Sequence, residues 1–329
     1  MSIVLAKTKA EEALASAFEH AHLPGSPAVQ DARKTAIAQF AKLGLPHRRI
    51  EAWKYTDLRA ALKTVAPVRE ALPDRLSADA LAAALGELNN LDAHRIVFVD
   101  GRYAPALSES AAVKGVKIKP LAAALAEAPE RIAAALTGST GPENDAIVAL
   151  NTAFMSDGAV LRIADGAKLE KPLMLVFVTA SGEAALTSVR NILAIGANAK
   201  ATLIEAHVVV PNAPAHGQTN ALSEVTVGEG AQMQHVKIVR GTGGNVHLAN
   251  CNVTISATAT YRGFQFTMDQ SLTRNQISAV YTGEGGKLDF SGGYLVRDSQ
   301  HIDTTLTVDH AVPHCESREL FKGVIDDRG

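Results

Sequence analysis

The chain has few of the residues on which secreted, membrane and nucleic-acid-binding proteins depend. Its 329 residues include 2 cysteines and 1 tryptophan. Cys251 and Cys315 are far apart and form no CxxC pair, which argues against a disulfide framework and favours a reducing compartment. The formal net charge of −2 provides no general attraction to nucleic acid or to acidic membranes. We therefore expect a cytoplasmic protein with no nucleic-acid partner and no membrane partner.

Long apolar runs are also missing. No stretch approaches the ~20 apolar residues that a membrane-spanning helix needs. Residues 1–18 carry charges too early for the apolar part of a secretion signal. Hydrophobic residues make up 47% of the chain and charged residues 20%, which is ordinary for a globular protein, and the length predicts about two domains.

The second half of the chain contains a nine-residue phrase that recurs six times. The phrases are separated by steps of 32, 32, 28, 27 and 26 residues, and they begin at Leu161, Leu193, Val225, Val253, Val280 and Leu306. A repeat of this length predicts one supersecondary unit stacked along an axis. Each phrase alternates apolar and polar residues, breaks at small residues such as Gly228, and then alternates again, which indicates strand, corner and strand.

These units are expected to stack as coils of a parallel β-helix. No helical period follows Gly158, so the strands cannot be joined by βαβ crossovers. A two-sheet antiparallel sandwich is the alternative, but its turns usually recur about every 8–12 residues without a longer repeat. The predicted fold class is thus mainly β, a parallel β-helix preceded by a small α/β segment.

The first half predicts a different kind of structure. Helical periods cover residues 28–43, 51–62 and 121–136, with Trp53, Leu58 and Leu62 as anchors of the second helix, and residues 96–103 predict a strand, a turn and a strand. We therefore divide the chain into a helical segment at 1–60, an α/β segment at 61–141 and the β-helix core at 142–329. The first part is expected to cap the exposed edge of the array.

The densest group of metal-capable residues is His310, His314 and Cys315, next to Glu316. Imidazole and thiolate together would suit iron, zinc or a cluster. In an extended strand, however, the two histidines would lie about 13 Å apart, and Pro313 opposes a helix that would bring them together. A turn at Val312 could do so. The alternatives are a ligand set and a corner with ordinary packing.

Other candidate groups are weaker. Cys251 is in phase with Val253 and Ile255 and is predicted to be a small core residue. His235 and His247 are single histidines on strands and are interpreted as satisfied core or surface residues. His301 and Asp303 share one strand face, a spacing usable for general base chemistry, but no nucleophile is near in sequence.

Two glycine-rich stretches and one basic run complete the candidates. Residues 283–287 fail the phosphate-loop pattern, and neither they nor residues 241–244 are followed by a helix that could hold phosphate. The basic residues from Arg48 to Arg59 alternate with Glu51 and Asp57, which predicts either a solvated helix face or a docking surface.

Two stretches of the chain resemble a known family. Residues 44–58, GLPHRRIEAWKYTDL, resemble the N-terminal signature of the SufB/SufD family, and residues 310–329, HAVPHCESRELFKGVIDDRG, resemble its later core motif. Residues 148–173 and 189–205 are similar to the family's repeats, so the resemblance covers nearly the whole chain. The tryptophan-containing signature and the SRELFKG phrase favour the SufD branch of the family.

The resemblance implies a right-handed parallel β-helix and a non-catalytic scaffold role in iron–sulfur cluster assembly. It implies partnership with a SufB-like protein and a SufC-like ATPase. No cofactor is expected to be bound tightly by this chain, because the iron–sulfur cluster would be transient in the complex. Pairing with a SufB-like protein and formation of a homodimer through the β-helix both stay open.

Family members continue beyond the position of Gly329 into further coils and a C-terminal helical region, on which SufC docks. We therefore expect that the chain is a fragment or that another chain covers its last coil. The competing functions are a self-assembling structural solenoid and a carbohydrate-active β-helix enzyme. The enzyme would need an acidic cluster on one flank, but the Asp and Glu residues of the repeat half are scattered.

Overall fold

The computed structural model describes residues 6–68, 76–109, 112–127, 145–211, 213, 216–242 and 244–329. Its α-helices are α1 Lys9–His20, α2 Pro27–Leu43, α3 Leu58–Ala61, α4 Ala78–Leu85, α5 Leu121–Glu127 and α6 Ala146–Phe154. The strands before the repeats are β1 His94–Val99, β2 Arg102–Tyr103 and β3 Val116–Pro120. The strands of the repeats are β4 Ala159–Ile163, β5 Leu173–Thr179, β6 Leu186–Ile195, β7 Lys200–Val209, β8 Gln218–Val227, β9 Gln232–Arg240, β10 Val246–Ile255, β11 Thr260–Met268, β12 Leu272–Tyr281, β13 Lys287–Val296, β14 His301–Asp309 and β15 Glu316–Ile325.

From β4 onward the strands alternate between two sheets, so each pair of consecutive strands makes one coil. Sheet A has the order β14-β12-β10-β8-β6-β4-β3, and sheet B the order β15-β13-β11-β9-β7-β5-β1-β2. Every neighbouring pair of repeat strands is parallel. We number the coils 1 to 6, from β4 with β5 to β14 with β15. The predicted mainly-β solenoid is confirmed, and the sandwich alternative is wrong.

The predicted repeat register is correct for four coils and wrong for two. Leu161, Leu193, Val225 and Val253 are aligned across sheet A, as the phrases predicted. Val253, however, pairs with Ala279 and not with Val280, and Ala279 pairs with Val308 and not with Leu306. In coil 5 the cause is the corner, which has five residues at 282–286, whereas the corners of coils 2 to 4 have four, for example 196–199. The sequence phrases align the ends of these corners and thereby shift the strand of coil 5 by one residue. In coil 6 the phrase begins two residues before Val308, the residue that is aligned with Val253 through Ala279.

The segment before the repeats extends both sheets over the first coil. Strand β1 pairs with β5 in parallel, and β2 returns antiparallel to β1 across Asp100 and Gly101, which both have positive φ. Strand β3 pairs antiparallel with β4. The predicted strand, turn and strand at 96–103 and the predicted cap over the first edge are both confirmed.

Helices cover the outer faces of the early coils. Helices α1, α2 and α6 share an apolar cluster with Leu248 and Leu272 on the outer face of sheet A. Helix α4 packs its Leu81 and Leu85 on the outer face of sheet B, against residues of β5 and β7. A third apolar cluster fills the space between the sheets and runs through all six coils. No described helix is long and apolar enough to cross a membrane.

The segment 52–68, which we call the strap, leaves the helical cluster and runs along the starts of the sheet A strands. The predicted helix at 28–43 is confirmed by α2, but the predicted continuous helix at 51–62 is wrong. A 3₁₀ turn at Glu51–Trp53 is followed by a break, and Asp57 then caps the single turn of α3. The helical period is interrupted at Thr56, because its side chain is hydrogen-bonded to His301 and Asp303 of β14. Trp53 and Leu58 are buried, as predicted.

The third predicted helix, at 121–136, is observed as α5 to the extent that it is described, and residues 128–136 lie outside the described residues.

At the entry to coil 1, Gly158 is required by a close approach of two backbone segments. A Cβ atom at this position would lie 2.0 Å from the carbonyl oxygen of Arg190, and the φ of +145° also favours glycine. The first coil can therefore pack against the second only without a side chain here.

Candidate functional site inside the solenoid

A group of polar side chains occupies inward-facing positions of β7 and β9. Successive side chains of a strand point to opposite faces, so Glu205 and His207 share the inner face with Leu203. Lys237 is the direct neighbour of Glu205 on β9, and His235 is the neighbour of Leu203. These side chains are all buried. The interior of the solenoid is therefore apolar next to the corners of the coils. It carries charged side chains on β7 and β9, farther from the corners.

Glu205 is the centre of this group, which we call the interior cluster. One of its oxygens, Oε1, lies 2.7 Å from His207 Nε2 and 3.4 Å from Lys237 Nζ. The other, Oε2, accepts a hydrogen bond of 2.8 Å from Ser223 Oγ and lies 3.3 Å from His235 Nε2. The His235 N–H is not aligned with this oxygen, so that contact is an ion pair and not a hydrogen bond. Four partners thus surround a carboxylate with no exposed surface.

The surroundings keep Glu205 ionised. Burial alone would raise the pKa of Glu205, but the Lys237 charge and the contacts from His207 and His235 outweigh it and hold this pKa well below its ordinary value. Burial lowers the pKa of His207 in spite of its hydrogen bond to Glu205. At neutral pH, His207 therefore donates its Nε2 proton to Glu205 as an uncharged imidazole.

His235 is linked to sheet A through the hydroxyl of Tyr261. Its Nδ1 lies 2.9 Å from the Tyr261 hydroxyl on β11, and that hydroxyl lies 3.9 Å from Cys251 Sγ on β10. Burial would lower the pKa of His235, but Cys251 and Glu205 together raise it to about 9. The ring is consequently an imidazolium at neutral pH, and it faces the carboxylate that compensates its charge.

Two pockets adjoin the interior cluster. One is lined by His235, Lys237, Cys251 and Tyr261. The other opens between the connections that join consecutive coils, and His207 and His247 line it. The His247 ring stands edge-on to the His207 ring. Burial lowers the pKa of His247 well below its ordinary value. Chemically, the arrangement can store a proton on His235 and stabilise a negative charge on Glu205 away from bulk water.

The predicted metal candidates lie together in the coil 6 corner, between β14 and β15. The His310 ring packs against Tyr281 with ring centroids 4.9 Å apart. His314 has a positive φ of 60°, and the Cys315 thiol lies 3.6 Å from the Gly283 carbonyl oxygen. Among the residues that the structure describes, no three His, Cys, Asp or Glu side chains are placed to hold a metal ion. A ligand role for His310, His314 and Cys315 stays a prediction.

The other sequence candidates have structural partners. Cys251 faces inward and is buried with Val253 and Ile255, as its phase predicted. His247 and His235 are both core residues, and His235 in addition is charged. Residues 283–287 form a corner between two strands, where no helix begins. Of the glycine-rich stretch at 241–244, Gly243 lies outside the described residues.

His301 and Asp303 both contact Thr56 of the strap. Thr56 Oγ1 lies 2.9 Å from His301 Nε2 and donates a hydrogen bond of 2.6 Å to Asp303 Oδ2. A catalytic triad would need the carboxylate to orient the histidine, and the histidine to take the hydroxyl proton. Here the carboxylate receives that proton directly, so the three side chains form a structural contact.

Sequence reasoning missed Glu205, His207 and Lys237. A signal was present, because Glu205 and His207 share the alternation phase of Ala201 and Leu203, and Lys237 shares that of Met233. Charged residues at core-facing positions are rarely buried unless they are paired. The phase could have marked each residue as buried, but the pairing depends on which strands become neighbours.

The fold and the interior cluster together define the class: a parallel β-solenoid with a strand cap, external helices and a charged interior. Two sequence profiles match this chain. Residues 15–175 match the SufBD protein N-terminal region, and residues 177–329 match the SufBD core domain of the SUF system for FeS cluster assembly. The chain belongs to the SufBD family.

Individual relatives extend over most of the chain. The iron–sulfur cluster assembly SufBD family protein of Synechocystis sp. is 27% identical over 303 residues, which are 90% of this chain and 66% of the relative. The iron–sulfur cluster assembly protein SufD of Escherichia coli is 28% identical over 298 residues, 89% of this chain and 66% of the relative. A SufBD family protein of Mycobacterium tuberculosis is 30% identical over 102 residues, 31% of this chain and 26% of the relative. The chain thus spans 66% of the length of the first two relatives.

Proposed function

We propose that this chain is a non-catalytic scaffold subunit of a SUF-type iron–sulfur cluster assembly complex. It acts in the cytoplasm with a SufB-like protein and a SufC-like ATPase. The observation that carries the proposal is the match of both family regions, from residue 15 to residue 329, to a chain whose second half is one continuous parallel solenoid. The relative named SufD supports the role in cluster assembly.

The partners of two acidic side chains among the described residues support the scaffold role. The His301 and Asp303 pair is engaged by Thr56, and the Glu205 carboxylate is paired on both oxygens inside the solenoid. A carbohydrate-active enzyme would instead present acidic groups on an open flank to bind and cleave its substrate. The iron–sulfur cluster is then cargo of the complex and is held only transiently by this chain.

Co-expression with a SufB-like and a SufC-like protein of the same organism tests the proposal. Size-exclusion chromatography with light scattering should show the 329-residue chain in a complex of defined mass with the SufB-like protein, and the SufC-like protein should join it. Samples that lack one partner are the control for non-specific association. Separate elution of the chain in every combination would refute the assignment. A polysaccharide-cleavage assay on the same sample tests the enzyme alternative, which requires turnover.

A second copy of the chain is the alternative partner, because the last strand is apolar and exposed. Leu320, Val324 and Ile325 on β15 are 49%, 63% and 60% exposed. Large exposed side chains on an edge strand favour association with another chain. Pairing of two copies through the β-helix would bury them, and a SufB-like partner would compete for the same strand.

A further inference from the structure

The strap is joined to coils 5 and 6 by a group of polar contacts on the outer face of sheet A. Arg274 on β12 and Asp303 on β14 are direct cross-strand neighbours, and their side chains form an ion pair. Thr56 of the strap adds a hydrogen bond of 2.6 Å to the same Asp303 oxygen. Its hydroxyl also meets His301, whose partner across the strands is Leu272. The strap therefore contacts both strands of this pair at once.

Arg274 is held by the strap on its other side as well. Its Nη2 group donates to the carbonyl oxygen of Ala52, and its guanidinium lies 4.8 Å from the centre of the Trp53 ring. The Arg274 side chain is only 2% exposed. Burial of a guanidinium is favourable only when its donors and its flat faces find partners. Without the strap, Arg274 and Asp303 would lie on an open outer face.

The far end of the strap is joined to coils 2 and 3. Gln218, the first residue of β8, accepts a hydrogen bond from the Ala66 N–H and donates one of 2.8 Å to the Thr64 carbonyl oxygen. Leu186, the first residue of β6, donates its N–H to Pro67 and forms a parallel bridge with Val68. Between the two ends, Leu58 packs in the apolar cluster of Leu248 and Leu272.

We propose that the strap is a longitudinal clasp that couples coils 2 and 3 to coils 5 and 6. In a solenoid each coil contacts only its neighbours, so its terminal coils can open without the others. The strap adds a connection across about 19 Å, four strand spacings, between coils that do not touch. Coils 5 and 6, which carry the coil 6 corner and β15, then open only when the strap is released. This inference concerns the fold and does not depend on the proposed function.

The contacts of Thr56 have a fixed direction. Because the Thr56 hydroxyl has one proton and donates it to Asp303, it can only accept from His301 Nε2. The clasp is released by loss of these contacts.

Hydrogen exchange measured by mass spectrometry on the whole chain tests the clasp from both ends. Thr56→Val removes the hydroxyl at the coil 6 end, and Gln218→Ala removes both contacts at the coil 3 end. Lys54→Ala is the matched control, because Lys54 lies in the strap and, within the described part of the chain, its side chain is engaged with Glu51 and Tyr55. Loss of one end lowers the effective concentration of the strap at the other end.

Both Thr56→Val and Gln218→Ala should speed exchange of peptides from 301–325 by roughly threefold or more, because each substitution removes two hydrogen bonds. Exchange of residues 189–195 of β6, beyond its contact with the strap at Leu186, should stay as in the parent protein, and Lys54→Ala should have no effect. The decisive result is the effect of Gln218→Ala on β14, which Gln218 does not touch. Faster exchange confined to each substitution's own neighbours, equal acceleration in all coils, or no change at all would overturn the proposal.

Discussion

At the scale of single residues, the interior cluster shows how this fold accommodates buried charge. The Glu205 carboxylate has contacts with the side chains of His207, Ser223, His235 and Lys237. A buried ion is tolerated only if its attraction to fixed partners offsets the loss of hydration. Removal of one partner is expected to cost more than that contact contributes, since the carboxylate would stay buried with less compensation of its charge.

His235 should make the stability of the protein decrease at alkaline pH. Its folded pKa of about 9 lies above its unfolded value of 6.5, so the stabilisation is complete below pH 6.5 and is lost as the pH rises through about 9. The difference corresponds to on the order of 3 kcal/mol. Chemical unfolding between pH 7 and 10 measures it, and His235→Gln should flatten this part of the profile.

Groups on four strands face His235 and enter this balance: Glu205 and His207 on β7, Lys237 on β9, Cys251 on β10 and Tyr261 on β11. The lowered pKa values of His207 and Glu205 act in the opposite direction, and their stabilisation is lost as the pH falls below 6.5 and then below 4.5. His22→Gln is the control, because His22 is exposed. An alkaline slope identical in the parent protein and His235→Gln would contradict the assignment.

At the scale of elements, the corners decide how the coils fit on one another. In coils 1 to 4 the third corner residue has a positive φ, and these residues are Gly166, Asn198, Gly230 and Thr258. The first three are residue types that adopt this conformation readily, whereas a β-branched residue is strained there. Neighbouring corners are also joined, for instance by the Gly230 N–H that donates to the Ala257 carbonyl oxygen. The hydrogen bonds between neighbouring corners therefore keep Thr258 in its strained conformation.

Thr258→Gly should stabilise the protein by about 1 kcal/mol, because it relieves a left-handed β-branched residue. Urea unfolding measures the difference. The reverse exchange, Gly230→Thr, is the matched counterpart in the previous coil and should destabilise, since a Cβ there would lie 2.5 Å from Asn198 Oδ1. Equal stability of Thr258→Gly and the parent protein would show that the corner is not strained.

At the scale of the whole molecule, the two ends of the solenoid differ in how they are covered. Coil 1 is extended by β1 and β3, and helices lie on the outer faces of the early coils. In coil 6, nearly all of β15 is exposed, including its apolar residues. The first two relatives are longer than the part that they share with this chain, so the exposure of β15 is a property of the 329-residue chain alone.

Val324→Lys should weaken self-association of the chain at least tenfold, because it places a charge on the most exposed large apolar side chain of β15. Sedimentation over a range of concentrations measures the effect. Gln232→Lys is the control, since it makes the same charge change at an exposed position of β9 in the same sheet. If both variants associate equally, β15 is not the contact.

Some features of the molecule follow from the sequence because they depend on neighbouring residues. Alternation identified the strands, as for Gln232–Arg240, and Asp100-Gly101 identified the turn between β1 and β2. The step of 32 residues predicted which strands of the first coils stack. The buried phase of Cys251 was visible in the same way.

Other features were decided only by the tertiary structure, because they depend on residues far apart in the chain. The break in the predicted helix at 51–62 results from a hydrogen bond between Thr56 and Asp303, which are 247 residues apart. The shift of register in coil 5 depends on corner length, which does not alter the alternation within a strand. From the sequence, His235 was interpreted as a single satisfied residue, and Glu205 was missed. Their contact with each other and with Lys237 arises only when parallel stacking places β7 beside β9, so that buried charges of opposite sign face one another.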